Sequence, residues 1–204
     1  MDEIWTGGDL LHSLLYCQLR SLADLKGVRI RQLKAGDRPE LGAPLRVEVF
    51  HPSQQRPPGS PRGDFSDVNN RSLVLKICYG QMRVLFPGDI EAEAERQILV
   101  GKHFDLTAEI IKVAHHGGRS SSTPSFIGAV RPRLAVASAG SSNPFGHPSP
   151  ETVERFEAAG TKVLSTASEG AVILVTDGKD LIISTALARR RRSPTLLFDF
   201  LGID

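Results

Sequence analysis

Apolar and polar residues alternate along Leu45-Arg46-Val47-Glu48-Val49-Phe50, the period-two pattern of a strand that buries one face. Two short apolar runs, Ser72 to Ile77 and Gln81 to Phe86, flank Tyr79-Gly80 and predict a hairpin. Ile90, Ala94 and Ile98 fall at helical spacing, and Glu91, Glu93 and Glu95 occupy the first turns, where the helix dipole favours acids; a helix is predicted over Ile90 to Leu99. Glu109 to Ala114 reads as the next strand. Thr123-Pro124 caps and opens a short helix that stops before Pro132, and Leu134 to Ser138 is again a strand. Ser149-Pro150-Glu151 starts a helix that closes at Gly160. Val163-Leu164, Ala171 to Thr176 and Leu181 to Ser184 complete the strands, with Asp177-Gly178 as a hairpin turn. The first forty residues read as a strand, an amphipathic helix around Leu10 to Leu25, and a strand around Val28 to Leu33. Strands alternating with helices, interrupted by hairpins, define an α/β fold with mixed sheet pairing.

Residues from His51 to about Val68 break the pattern. They are rich in Pro, Gly, Ser and Arg and form a long surface loop, a kind of segment that is usually functional or mobile. A length of 204 residues with 40% hydrophobic and 24% charged positions suits one domain with a sizeable core. The net charge of +2 selects no partner, and the strongest local bias is Arg189-Arg190-Arg191-Arg192, which opens a basic and apolar tail over 189–204. Such a run is by default solvated, although it suits a phosphate backbone. Cys17 and Cys78 sit in apolar patterns without CxxC spacing and read as reduced core residues, as in the cytosol. No apolar run reaches the roughly 18 residues of a membrane span. The acidic start Met1-Asp2-Glu3 does not read as a signal peptide. A soluble, cytoplasmic chain is expected.

The chemistry gathers where apolar runs stop. Phe86-Pro87-Gly88-Asp89 ends a strand at a carboxylate, and Lys112-Val113-Ala114-His115-His116-Gly117-Gly118 ends another at two imidazoles. Asn143-Pro144-Phe145-Gly146-His147-Pro148 adds a further histidine before a helix start. An Asp and several His at successive strand tips suit divalent ions such as Mn or Zn. Asp89 is equally well placed to cap the following helix. Adjacent His side chains at a strand end point in different directions, so one binds metal while the other orients substrate or moves a proton. Gly117-Gly118 lets the backbone turn closely past them. His147, Ser120 and Ser121 precede helix starts and are candidate phosphate contacts. Asn70, within Asn69-Asn70-Arg71-Ser72, is a candidate anchor between the long loop and the site, with bonding to turn backbone as the ordinary alternative. His12, His51 and His103 have no ligand-like setting.

The ordered set Asn69-Asn70-x-Ser72, Gly88-Asp89-Ile90-Glu91, Lys112-Val113-Ala114-His115-His116-Gly117 and Asn143-x-x-Gly146-His147-Pro148 resembles the metallo-β-lactamase fold. Within it, the set is most similar to the hydrolase domain of the ComEC-like DNA-uptake competence proteins, from about Ile4 to Ser184. The resemblance implies an αββα sandwich of mixed sheets with flanking helices and a dinuclear metal site along one edge. It makes Asp89 the carboxylate that bridges the two ions and assigns the late histidine ligand to the His-His-Gly segment. His116, just before the Gly, fits that place better; His115 then supports it. Asp89, His115 and His116 are thus the implied catalytic residues, with His147, Ser120, Ser121 and Asn70 toward substrate. The implied reaction is attack of a metal-activated water on a phosphodiester of DNA, with two ions roughly 3.5–4 Å apart clamping the attacking and leaving oxygens. The relatives of this kind are domains of membrane proteins.

Two departures qualify the match. The HxHxDH segment that opens such sites is absent from the 204 residues, which removes most ligands of both ions. Gly118 stands where the family usually has Ser. Residues 1–188 are therefore expected to be the C-terminal part of such a domain, weak in metal binding and inactive alone. The same reading expects the missing half-domain as partner, or self-association through the apolar surface it would cover. Two rival functions are a non-catalytic module that binds nucleic acid and a small-molecule lactonase or phosphoesterase of the same fold.

Overall fold

The computed structural model describes residues 3–7, 13–53, 68–101 and 104–187, together with the backbone of 196–198. Side chains alternate along the strands and so sort the interior into two apolar layers. The main sheet runs in the order β3 (Arg46–His51), β4 (Val74–Tyr79), β5 (Met82–Phe86), β6 (Ile110–Lys112), β7 (Leu134–Ala137) and β8 (Lys162–Ser165). Pairing is antiparallel from β3 to β5 and parallel from β5 to β8. On one face, Leu85, Ile111, Ala135 and Ala137 pack with residues of α2 (Ala92–Val100), α3 (Pro124–Val130) and α4 (Pro150–Ala158). Phe126 and Phe156 are wholly buried there, each worth about 2 kcal/mol by the area removed from water. On the other face Met82, Ile110, Leu134 and Leu164 meet Leu181 and Ile183. Those two residues belong to β10 (Leu181–Thr185), the middle strand of an antiparallel sheet with β9 (Val172–Thr176) and β11 (Leu196–Phe198). This is the predicted α/β class, with mixed sheets and flanking helices.

The parallel half decides where function sits. Strands β5, β6 and β7 lie side by side, and the loops leaving their carboxyl ends hold Asp89, the His pair and the segment from Ser138 to His147. Open parallel sheets bind ligands at those ends.

Several sequence boundaries shift for physical reasons. The helix predicted from Ile90 begins at Ala92, because Ile90 is drawn wholly into the core before the first turn. The strand predicted to Ala114 stops at Lys112, where the chain bends into the histidine turn. A single helical turn, α5 (Thr166–Glu169), was not predicted; four residues are too few to show a period. The first unit is β1 (Glu3–Thr6), α1 (Leu14–Leu25) and β2 (Arg29–Gln32), with β1 and β2 parallel. Ser13 caps α1, so the predicted start at Leu10 lies outside the described residues. Cys17, expected in the core, is exposed, and Leu14, Leu15, Leu22 and Leu25 are exposed with it; Cys78 is buried as expected. Only Ala23 of α1 is buried, so no described residue covers its apolar stripe. Most of the loop 51–68, the arginine run, His12 and His103 lie outside the described residues. Leu196–Phe198, inside the segment read as a tail, pairs with β10. Among the described residues no helix is long and apolar enough to cross a membrane.

His51, assigned no role from sequence, is a buried link between β3 and the Asn70 turn: its Nε2–H donates to the Asn70 carbonyl at 2.7 Å. Burial lowers its pKa below the ordinary 6.5 and outweighs the opposing effect of that bond. A depressed base keeps its full contribution to stability above the unfolded value and loses it as pH falls through the folded one. The urea midpoint of the protein should therefore fall as pH drops below about 6.5, and this part of the loss should vanish in His51→Gln, which keeps a donor but does not titrate. Equal pH slopes for the two proteins would place the acid sensitivity elsewhere.

Candidate metal-binding site

The Asp89 turn is built by backbone constraint. After β5, Gly88 adopts φ +62°, and a Cβ there would lie 2.6 Å from Ser72 Cβ, so only Gly fits. Ser72 Oγ accepts from the Asp89 N–H at 3.0 Å, and the His115 N–H donates to the Gly88 carbonyl at 3.1 Å, tying the Asp89 and histidine turns together. Asp89 does not cap α2. Asn70 serves that helix instead, its Oδ1 accepting from the Glu91 N–H at 2.9 Å and the Ala94 N–H at 3.3 Å. The Asp89 carboxylate, 40% exposed, is left facing the site, with Lys112 Nζ 3.6 Å from its Oδ1. Burial lowers the Lys112 pKa and Asp89 opposes that fall.

The histidine turn carries backbone strain. His115 (φ 48°, ψ 41°) and His116 (φ 57°, ψ 10°) are both left-handed, and Gly117 follows at φ 96°. Such a conformation costs a non-glycine residue on the order of 1 kcal/mol and is characteristically found at functional sites. Gly117 has no room for a side chain, because a Cβ would fall 2.5 Å from Pro148 Cβ. The Ser149 N–H donates to the Gly117 carbonyl at 2.9 Å and Thr152 Oγ1 donates to the Gly118 carbonyl at 3.1 Å, which pins the turn to α4.

The twist sends the two imidazoles apart. His116 Nδ1 lies 2.7 Å from the Ser138 carbonyl. A carbonyl only accepts, so Nδ1 carries the hydrogen and Nε2 of the neutral ring presents a lone pair. That Nε2 lies 3.6 Å from Asp89 Oδ1. A carboxylate facing an imidazole nitrogen at this distance is matched by a proton on that nitrogen or by a cation beside the pair, and Lys112 already lies beside Asp89. His115 Nδ1 lies 3.3 Å from Glu91 Oε1 but is not aligned for a hydrogen bond, and it is buried without a partner. The His115 and His147 rings meet edge to face at 5.7 Å, and Phe145 stacks on His147 at 5.7 Å. Burial first, then the neighbouring His115 and His116, lower the His147 pKa and favour its neutral ring.

Asp89, His115, His116 and His147 thus share one edge of the sheet. Ser121 does not reach it: wholly buried, it donates from Oγ to the Ile90 carbonyl at 2.7 Å, so its hydroxyl is structural. Exposed Ser120 accepts through its carbonyl from the Ala92 N–H at 2.8 Å. Asn70 acts through the α2 terminus rather than in the site. Gly118 has φ −61°, open to any residue, and a Cβ would meet His147 Cε1 at 3.4 Å. Lys112, Glu91 and the Ser138 carbonyl carry weight that sequence reasoning did not give them; a lysine at the end of an otherwise apolar strand was the available signal for Lys112.

A divalent ion fits this donor set in part. A His whose Nδ1–H is held by a backbone carbonyl, with Nε2 aimed at a carboxylate, is the usual preparation of a metal ligand. Asp89 and His116 supply two donors, whereas closed sites take about four. Among the described residues no three His, Cys, Asp or Glu side chains converge on one point.

Fold and site together define an α/β protein whose parallel strand ends present an Asp–His pair. The chain is 30% identical over 147 residues, 72% of its length, to ComE operon protein 3 of Bacillus subtilis. It is 37% identical over 107 residues to Competence protein ComA of Neisseria gonorrhoeae, and 34% identical over 109 residues to the uncharacterized protein YcaI of Escherichia coli. These stretches are 52% and 53% of the chain. Over them the chain is a homologue of the ComEC-like competence proteins, as its motifs indicated. It spans 18%, 15% and 14% of the length of these three relatives. A solved structure named "Putative metal-dependent hydrolase" from Parabacteroides distasonis aligns with a TM-score of 0.46 at 15% identity, over 81% of this chain and 76% of that one. No protein-family profile matches the chain.

Proposed function

We propose that this chain carries part of the active site of a metal-dependent hydrolase acting on a phosphodiester of DNA. The observation that supports this is His116 Nε2 facing Asp89 Oδ1 at 3.6 Å, with the ring held through Nδ1 by the Ser138 carbonyl, at the carboxyl ends of parallel strands. Kinship with Competence protein ComA supports DNA as the polymer. A divalent ion such as Mn or Zn, held by Asp89 and His116, would polarise a phosphoryl oxygen and make water a nucleophile near neutral pH. The protein's own groups prepare for this. The Ser138 carbonyl fixes the His116 ring, and Lys112 offsets the charge of Asp89. His147, kept neutral by burial and its histidine neighbours, is placed to take or give a proton beside the pair. The remaining ligands of such a site would be of the kind that an HxHxDH-bearing segment supplies.

The test is metal binding and cleavage by the 204-residue chain, alone and with an HxHxDH-bearing segment joined ahead of it. Calorimetry with Mn should give weak binding to the chain alone and little cleavage of single-stranded DNA, with both rising when the segment is present. Tight, stoichiometric metal and robust turnover by the chain alone would show that the ligand count is wrong. Absence of any gain from the segment would remove the hydrolase reading. One observation favours a second reading, a module that holds nucleic acid without cutting it: the Lys112 ammonium already lies 3.6 Å from Asp89 Oδ1 and supplies charge there without a metal. DNA binding that is unchanged in chelator, with no cleavage by the completed protein, would establish it.

A further inference from the structure

His116 borders a second feature, a cavity of about 390 Å³ between the Asp89 edge and the loop that follows β7. Ser138, Ala139, Gly140, Thr166 and Phe145 line it with His116, and its size falls within the usual range of small-ligand sites, about 300–1,000 Å³. Phe145 is one of its lining residues and is 77% exposed, whereas Phe50, Phe126 and Phe156 are buried in the core. The ring is not adrift. It lies within 21° of parallel to the His147 imidazole, so one face is backed while the residue stays open to solvent. Its loop is fastened by Asn143, whose Nδ2 donates to the Gly140 and His147 carbonyls at 2.7 Å each and whose Oδ1 accepts from the His147 N–H at 2.8 Å. An aromatic ring on a fastened loop, stacked on an imidazole and otherwise open, suits a stacking platform that needs little ordering when a ligand arrives.

We infer that this groove seats a nucleobase of single-stranded DNA on Phe145, immediately beside the Asp89–His116 pair. The inference rests on the proposed phosphodiester substrate and adds which part of it the chain grips. A base suits the groove because every base has a π-face, so an aromatic wall holds any sequence, as an enzyme acting on arbitrary DNA requires. Because His116 lines both the groove and the metal-competent pair, a base stacked on Phe145 brings its own backbone to the reacting edge. Phe145 is thus a positioning residue for substrate.

The experiment measures binding of two short single strands to the 204-residue chain in chelator. One strand contains 2-aminopurine, whose fluorescence is quenched on stacking, and the other is abasic throughout. The base-bearing strand should be quenched and bind about tenfold more tightly than the abasic one, which corresponds to about 1.4 kcal/mol. Phe145→Ala should remove both the quenching and the preference, Phe145→Trp should keep them, and affinity for the abasic strand should be the same in all three proteins. Phe145 lies outside the core, so the substitutions leave the fold intact, which circular dichroism checks. Equal binding of the two strands by the unaltered protein, binding of neither, or a preference that survives Phe145→Ala would overturn the inference. Since the assay needs no metal or turnover, a base preference without any Mn-dependent cleavage by the completed protein would retain the base site and reject the hydrolase reading.

Discussion

Asp89→Ala, introduced into the protein completed by an HxHxDH-bearing segment, is expected to lower Mn-dependent cleavage of single-stranded DNA by on the order of 10³-fold, or about 4 kcal/mol in barrier. The carboxylate is 40% exposed, leaves helix capping to Asn70, and holds only a partly exposed ion pair with Lys112, so its removal should cost little stability. The loss should therefore appear in turnover and metal affinity, with the urea midpoint unchanged. His116→Ala should match it, because the Nε2 that faces Asp89 disappears together with the Ser138 anchor. His147→Ala should cost less, roughly 10-fold to 100-fold, as expected of a group beside the metal ligands rather than among them. Near-normal cleavage by Asp89→Ala would remove the bridging role that the resemblance assigns it. Equal losses from all three would mean that the histidine cluster acts as a unit.

The parts of this site legible in the sequence were those set by local pattern. Apolar runs that stop at Gly88-Asp89 and at His115-His116 marked strand ends, and those ends do lie side by side. Glu109 to Ala114 read as a strand, and within it the neighbours Ile110 and Ile111 join different cores, as side chains on a strand must. What sequence left open was partnership across distance. Asp89 as cap or ligand could not be decided without knowing that Asn70, 21 residues before Glu91, takes the helix donors. Ser121 looked like a phosphate contact because its position before a helix is a local feature, whereas its burial against Ile90 is a tertiary one. Cys17 lies in an apolar pattern that predicts burial, yet the stripe on α1 is left uncovered by the described residues. Phe145 carried no assignment from sequence, because the Asn143 bonds that fasten its loop span from Gly140 to His147.

Glu95→Ala is expected to be the most destabilising single substitution outside the apolar core, by about 3 kcal/mol. Sequence placed Glu95 among the acids that favour a helix start, but its carboxylate does something else. It is wholly buried, and its two oxygens accept from the Ser122 N–H at 2.5 Å and the Thr123 N–H at 2.8 Å. Those donors belong to the segment that leaves the His-His-Gly-Gly turn and opens α3, where Ser122 itself is left-handed at φ 56°. Burial raises the Glu95 pKa, against the lowering effect of the Thr123 and Ser122 bonds and of nearby Arg155. Removing the carboxylate leaves the buried Ser122 N–H and the part-buried Thr123 N–H without acceptors, a buried one costing about 1–3 kcal/mol. Gln is no remedy, because it keeps one acceptor and turns an NH₂ toward the second N–H. Both variants should lower the urea midpoint, and both should speed amide exchange at Ser122 and Thr123 more than at β7, which lies on the far side of α3. Because Glu95 reaches the site only through this loop, cleavage by the completed protein should fall in proportion to the folded fraction and recover as temperature is lowered toward maximal stability. A loss below about 1 kcal/mol would mean that water replaces the carboxylate at both donors.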